Sequence, residues 1–246
     1  MSKNELYQYS VISALMEGIC ETGIPVKDAL ENGDHGLGTV PRMEGEIVII
    51  DGEVYHFPPN KLPQRVELSS ILPFVMTTRF KPTFEKIIPS LTMKSLPEVM
   101  SPLLPSQQNQ FLSIRVYGHF SQITFRVAGG QCKPRERLVE LAKRQQVFAL
   151  EQIEGTLFGF WSPAFSGSFS VPGFHLHFLS KDKKGGGHVL DFDARSATLQ
   201  AAAVCKYMVE LPQSKDFNLA AIKNANSEEL KAAEGGNNTS VEASSS

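Results

Sequence analysis

Apolar residues at helical spacing open the chain. Between Leu6 and Ile19 they recur every three or four positions, which predicts an amphipathic helix. Pro25 and Gly33 then suit the first turn and the exit of a second, shorter helix. The pattern therefore predicts that the chain begins with two helices.

Strand patterns follow these helices. Glu46–Ile50 and Glu53–Phe57 are β-rich and flank Asp51-Gly52, a dipeptide that favours a tight hairpin. Phe74–Phe80 is a further strand candidate. The proline-punctuated region Lys81–Gln108 predicts short helices and loops, because proline interrupts regular hydrogen bonding.

The second half of the chain is dominated by strand-like patterns. Phe111–Val127 predicts two strands around Gly118, and Arg135–Arg144 predicts a charged, exposed helix. The stretch Glu151–Leu211 is rich in Phe, Val, Gly and Ser, which predicts successive antiparallel strands. A last short helix is predicted over Ser227–Glu234.

These elements predict an α+β fold with a mixed N-terminal sheet, an antiparallel C-terminal sheet and flanking helices. We expect residues 1–150 to form the first region and residues 151–234 the second, β-rich region. The tail, residues 235–246, is rich in Gly, Asn and Ser and has the composition of a disordered segment.

Charge and composition narrow the classes of partner. The formal net charge is −2 and the chain has no strongly basic run, which disfavours a nucleic-acid partner. No apolar stretch is long enough to cross a bilayer, and the N-terminus lacks a secretory pattern, so we expect a cytoplasmic protein. The three widely spaced cysteines are expected to be reduced.

Three histidines carry the clearest chemical signal. His175 and His177 lie two apart in the strand-like stretch Phe174–Leu179, so their side chains share one face. Ser180–Gly187 predicts a hairpin turn that returns His188 beside them. Three imidazoles with an open fourth position are typical of catalytic zinc, whereas the alternative is three packing or hydrogen-bonding residues. The remaining histidines, His35, His56 and His119, are expected in turns or on the surface.

Several segments together resemble the α-acetolactate decarboxylases over about residues 6–218. The matching segments are Gln8–Leu15, Gly33–Thr39, Glu44–Gly52, Gly155–Pro163, Pro172–Phe178, Gly186–Phe192 and Glu210–Pro212. The resemblance implies an enzyme that converts 2-acetolactate to acetoin and CO2, and it suggests a homodimer.

The resemblance also implies a set of site residues. Zinc would be bound by His175, His177 and His188, and a glutamate from the C-terminal extension would complete the site. Glu234 is the best match for that glutamate, and Glu228 and Glu229 are the alternatives.

Three further residues receive catalytic roles from the resemblance. Arg126 would orient the substrate and stabilise developing negative charge, Glu46 would carry a proton, and Thr39 would donate a hydrogen bond to the substrate. Without the resemblance, Glu46 would be taken for a surface carboxylate and Thr39 for a turn residue.

Two other functions are compatible with the histidine pattern. A cupin-like metal enzyme would need an acid shortly after His-x-His, where this chain offers only Asp182 in a lysine-rich turn. A non-enzymatic binding module could instead hold zinc structurally, with four protein ligands around the ion.

Overall fold

The computed structural model describes residues 3–101, 103, 104, 106, 109–224 and 227–234 of the chain. The strands are β1 Glu5–Tyr9, β2 Ile24–Pro25, β3 His35–Thr39, β4 Glu46–Ile50, β5 Glu53–Phe57, β6 Gln64–Arg65, β7 Ile71–Leu72, β8 Phe74–Thr78, β9 Phe84–Thr92, β10 Phe111–Val127, β11 Gln146–Ser162, β12 Gly173–Ser180, β13 Gly186–Val204 and β14 Lys206–Glu210. The α-helices are α1 Ile12–Met16, α2 Val26–Asn32, α3 Leu96–Val99, α4 Leu138–Ala142, α5 Lys215–Leu219 and α6 Ser227–Ala233, and short 3-10 turns cover Pro41–Met43 and Ala164–Ser166.

Two larger sheets organise these strands. The first is a seven-stranded mixed sheet in the order β14-β1-β8-β3-β4-β5-β6, in which only β1 and β14 run parallel. The second is an antiparallel sheet in the order β10-β11-β12-β13-β9. Because β13 also pairs with β10, strands β10 to β13 close on themselves. The predicted α+β class with a mixed and an antiparallel sheet is confirmed.

The two sheets pack face to face through one apolar core. Leu37 and Val48 from the first sheet and Phe158, Phe160 and Leu179 from the second are all buried in it. Burial of a large apolar side chain contributes roughly 1.5–3 kcal/mol, so this layer holds the sheets together. A second apolar cluster, which includes Phe120 and Phe178, fills the closed second sheet.

The predicted helix over Leu6–Ile19 is wrong in its first half. Glu5–Tyr9 is the strand β1, Ser10 turns the chain with φ of 68°, and only Ile12–Met16 is helical. Strand β1 pairs on both sides and is buried on both faces. Such a strand shows no alternation, and its apolar residues can match helical spacing by coincidence.

Gly118 bends a strand that was predicted to end there. Phe111–Val127 is one continuous strand, and Gly118 has a φ of +153° at a shift in its register with β13. Glycine accepts this backbone conformation, so the strand curves and continues.

The region Lys81–Gln108 contains the strand β9 as well as the predicted short helix and loops. Its Pro89 is tolerated because β9 lies at the edge of the second sheet and pairs only with β13. Strand β14, predicted to be antiparallel, runs parallel to β1 in the first sheet.

The other predicted elements occur close to their expected positions. The Asp51-Gly52 hairpin joins β4 and β5, and α2 lies between Pro25 and Gly33. The helix predicted over Arg135–Arg144 is shorter, and Leu138 and Leu141 bury one of its faces. No helix in the described ranges has both the length and the apolar character needed to cross a membrane.

The division of the chain near residue 150 stays a prediction. Residue 150 lies within β11, and the second sheet takes β9 and β10 from before it. The tail predicted to be disordered, residues 235–246, lies outside the described residues.

Candidate metal centre

His175, His177 and His188 form a buried cluster between the two sheets. One nitrogen from each ring lies within 4.8 Å of the others, and the ring centroids are 5.0–5.5 Å apart. The exposed fraction of each side chain is 6% or less. The structure therefore brings together the three histidines that the sequence predicted as neighbours.

Strand register explains this convergence. His175 and His177 lie two apart on β12, so both point towards the first sheet. His188 at the start of β13 is directly opposite His177 on β12 and Arg126 on β10. Residues opposite each other in an antiparallel pair share a face, so the closure of the second sheet places all four side chains together.

Gly187 makes the close approach of β13 possible. Its φ is +149°, and a Cβ at this position would lie 2.4 Å from the carbonyl oxygen of Arg126. A side chain would thus push β13 away from β10 just before His188.

Hydrogen bonds orient two of the three imidazoles. His177 donates from Nδ1 to the carbonyl oxygen of Ile47 on β4 (2.8 Å), and His188 donates from Nε2 to the carbonyl oxygen of Glu234 (2.9 Å). Because a carbonyl can only accept, each ring keeps a lone pair on its other nitrogen. His177 Nε2 and His175 Nδ1 are buried and have no hydrogen-bond partner within the described parts of the chain.

Glu234 reaches the cluster from the end of α6. Its Oε2 lies 3.5 Å from Nδ1 of His188 and 2.8 Å from a guanidinium nitrogen of Arg126. Helix α6 is held against the inter-sheet core by Leu230 and Ala233, which are buried. The alternative Glu229 pairs instead with Arg137 at 2.9 Å.

Glu46 completes the charged part of the site. It begins β4 directly opposite Thr39 on β3 and is buried, contrary to the exposed position expected without the resemblance. Its carboxylate accepts a hydrogen bond from the backbone N–H of Ala128 (3.2 Å) and lies 3.8 Å from Arg126 and 3.7 Å from His177.

Burial controls the protonation of these groups. It lowers the pKa of His175 to about 3 and those of His177 and His188 well below the usual value, with Arg126 adding to the effect. Burial also raises the pKa of Glu46 to about 7, against the opposing effect of Arg126. The imidazoles are therefore neutral at physiological pH, which is the form that binds metals.

A cavity with a volume of about 40 Å³ opens onto these groups. One part of its lining is charged or polar and includes Arg126, Glu46 and the histidines. The other part is apolar and consists of Ile12, Leu15, Leu37, Met43, Phe74 and Leu138. Thr39 also lines the cavity, and its hydroxyl donates to the carbonyl oxygen of Gly45 (2.8 Å).

The donor set fits a divalent metal ion. Two buried ring nitrogens without partners would each cost about 1–3 kcal/mol, and coordination would offset that cost. Neutral imidazoles and a carboxylate are ligands that Zn2+ accepts. Asp182, which a cupin-like site would need, is exposed and accepts hydrogen bonds from Ser180 and Lys184 within the turn.

Several histidines lie outside the cluster. His35 was expected in a turn or on the surface but is buried at the start of β3, where it contacts Asp34, Asp51 and Arg115. Its burial follows from ring contacts with Phe80 and Phe158. His56 and His119 are half-buried on β5 and β10.

Sequence reasoning missed the backbone groups and the apolar wall of the site. The carbonyl of Ile47 and the N–H of Ala128 are positioned by chain path alone, so no residue type announces them. The apolar lining residues are indistinguishable from core residues in the sequence. One local signal could have drawn attention to Met43. The segment Pro41-Arg42-Met43-Glu44-Gly45 interrupts the strand pattern between β3 and β4.

Comparisons with known proteins agree on one family. The family model described as alpha-acetolactate decarboxylase matches residues 6–224. The alpha-acetolactate decarboxylase of Bacillus licheniformis is 33% identical over 215 residues, which covers 87% of this chain and 85% of the relative. That of Methanosarcina mazei is 34% identical over 231 residues, covering 93% and 80%. The crystal structure of the Bacillus subtilis strain 168 enzyme superposes with a TM-score of 0.89 at 29% identity and covers 94% of this chain and 100% of its own.

Proposed function

Since the chain belongs to the alpha-acetolactate decarboxylase family and is a carbon–carbon lyase, we propose that it converts 2-acetolactate to acetoin and CO2 with a bound zinc ion. We assign the metal to His175, His177, His188 and Glu234. The observation that carries this assignment is the buried cluster of neutral imidazoles beside one cation and two carboxylates.

The reaction requires stabilisation of negative charge. When 2-acetolactate loses CO2, the electron pair of the broken bond moves onto the neighbouring ketone and gives an enediolate. Zinc would supply a Lewis acid that stabilises this negative charge by several kcal/mol. Glu234 and the three histidines would hold the ion, and their burial would limit the access of water to it.

Arg126 contributes a fixed positive charge to the cavity. Its side chain is only 4% exposed and lies between Glu46 and Glu234, so it cannot reorient freely. We assign it to orienting the substrate and to stabilising the enediolate. Binding the departing carboxylate alone would favour the ground state, because the product CO2 is neutral.

We assign Glu46 as the proton donor to the carbon that loses CO2. Burial raises the pKa of this carboxyl group to about 7 in the metal-free protein, and a carboxyl group with a raised pKa can hold a proton and deliver it to the substrate. The N–H of Ala128 holds one carboxyl oxygen, which fixes the direction of the other. Thr39 lies directly opposite Glu46 on β3. Its hydroxyl would donate a hydrogen bond to the substrate in place of the one that it donates to the carbonyl oxygen of Gly45.

The test is an assay with racemic 2-acetolactate. We expect CO2 and optically enriched acetoin above the spontaneous rate, together with close to one zinc per chain by elemental analysis. His177→Ala should lose both metal and turnover, whereas His119→Ala, outside the cavity, should keep both. The decarboxylase assignment fails if the wild type gives no release above background, and the metal assignment fails if His177→Ala retains zinc.

Further properties are proposed from the sequence. From the resemblance, we propose that the chain forms a homodimer with a small-molecule substrate. From charge and composition, we propose that it acts in the cytoplasm without a nucleic-acid or membrane partner. Sedimentation of the purified protein would test the first property.

A further inference from the structure

A strained turn borders the catalytic cavity. Arg42 and Met43 have φ values of 63° and 51°, so two consecutive residues other than glycine are left-handed. This conformation costs free energy and persists only where the surroundings impose it. The turn joins β3 to β4, the strands that carry Thr39 and Glu46.

Hydrogen bonds on both sides hold this turn in place. The backbone of Arg42 accepts from Gln131 N–H (2.8 Å), and its guanidinium donates to the carbonyl of Gln131. His56 donates from Nε2 to the carbonyl of Glu44 (2.7 Å), and the backbone N–H of Arg42 donates to the carbonyl of Cys20 (3.1 Å). The turn is thus fixed relative to β5, the loop after β10 and the segment after α1.

The result of this arrangement is the placement of one side chain. Met43 is 1% exposed and lines the same cavity as the histidines and Arg126. Methionine is unbranched and flexible, so it adapts to the shape of a neighbouring group. A left-handed backbone that holds a methionine side chain against the cavity is consistent with contact between that side chain and a ligand.

The substrate class defines what such a contact could recognise. The reacting carbon of 2-acetolactate carries a carboxylate, a hydroxyl, an acetyl group and a methyl group. The oxygens match the charged part of the cavity, so the alkyl group is left for the apolar part. Its size is the property that an apolar wall can discriminate.

We propose that Met43 sets the size of the alkyl group accepted on the reacting carbon of 2-hydroxy-3-oxo acids. This inference rests on the proposed function. The strained turn acts as a rigid support, and the methionine side chain closes the space beyond a methyl group.

The test compares kcat/KM for 2-acetolactate with kcat/KM for the homologue in which ethyl replaces this methyl group. Met43→Ala should raise the ethyl-to-methyl ratio about tenfold, since one methylene in an apolar pocket is worth about ten- to two-hundredfold. Met43→Phe should lower the ratio. Both variants keep an L side chain, so the backbone strain is unchanged and only the wall differs.

Met76→Ala is the matched control. Met76 is fully buried in the same core on β8, but it is not among the residues that line the cavity. It should lose stability like Met43→Ala and leave the ratio unchanged. Met43→Leu, which nearly conserves volume, serves if the alanine variant does not fold. Leucine ends one atom short of methionine, so this variant should raise the ratio by less than Met43→Ala would.

The outcomes separate the two proposals. A wild type that releases no CO2 from 2-acetolactate overturns the proposed function itself. An active wild type whose ratio is unaltered by folded Met43 variants, or is altered equally by Met76→Ala, overturns only the role of Met43.

Discussion

Arg126 lies between the two buried carboxylates of the cavity. Its guanidinium contacts Glu234 at 2.8 Å and Glu46 at 3.8 Å, and all three side chains are buried. Removing one member of a buried charge cluster leaves an uncompensated group, which costs several kcal/mol or is relieved by a change in protonation. Arg126 thus opposes the effect of burial, which raises the pKa of both carboxyl groups.

The pKa of Glu46 is a direct test of this environment. In the metal-free protein we expect a pKa near 7, so the carboxyl is neutral below that pH and ionised above it. Arg126→Gln should raise the value further, because the guanidinium favours the charged form. Carbon NMR titration of glutamate-labelled protein would measure it, with Glu46→Gln identifying the signal. A value near 4.5 would contradict burial as the controlling factor.

Adding zinc should lower the pKa of Glu46. A divalent cation at the histidines would lie close to Glu46 and favour its carboxylate. A pKa that is insensitive to the metal would place the ion elsewhere.

At the scale of elements, the start of β13 determines the site. Three strands meet at His188, and Gly187 has no space for a Cβ beside Arg126. We expect Gly187→Ala to destabilise the fold by at least about 1 kcal/mol and to weaken zinc binding, because both φ and the contact become unfavourable. Thermal unfolding and metal titration would measure the two effects.

Gly167→Ala is a suitable comparison for that variant. Gly167 has a φ of −55°, and a Cβ there would meet its nearest neighbour at an ordinary 3.5 Å. The stability and zinc affinity of Gly167→Ala should stay close to those of the wild type. Equal losses in both glycine variants would argue against a special role for the start of β13.

Helix α6 is the element that delivers Glu234. Leu230 anchors the helix in the inter-sheet core and is 3% exposed. Leu230→Ala removes burial worth about 2–5 kcal/mol and should loosen the helix. Zinc affinity should then fall at least about tenfold, measured by competition with a chromophoric chelator. Leu219→Ala, at a side chain that is 74% exposed, should leave the affinity unaltered. An unchanged affinity in Leu230→Ala would remove Glu234 from the ligands.

In the complete fold, each of the two large sheets combines strands from distant parts of the chain. Strand β14 returns from the second half to pair with β1, and β10 and β11 stay paired across residue 150. The site uses both sheets, because His177 donates to Ile47 on β4.

This interleaving leads us to expect one cooperative unfolding transition. Fluorescence of Trp161, the single tryptophan, reports on the second sheet, and far-UV circular dichroism reports on both. The two urea curves should coincide. Separate transitions would instead favour independent domains divided near residue 150.

Elements with local signals could be predicted from the amino-acid sequence. The Asp51-Gly52 hairpin, the His-x-His strand and the return of His188 through a glycine-rich turn all depend on neighbours along the chain. Their periodicity and turn chemistry were sufficient to predict them. The family resemblance added Glu46, Arg126 and Glu234, which no local pattern distinguishes from surface charges.

Contacts between groups distant along the chain depend on the assembled fold. The strand β1 has no alternation because it is buried on both faces, and Gly118 bends a strand because β13 packs beside it. The approach of Met43, Ile47 and Ala128 to the cavity also depends on chain path. Burial and pairing are properties of the assembled sheets, so a sequence pattern that reports on nearest neighbours does not contain them.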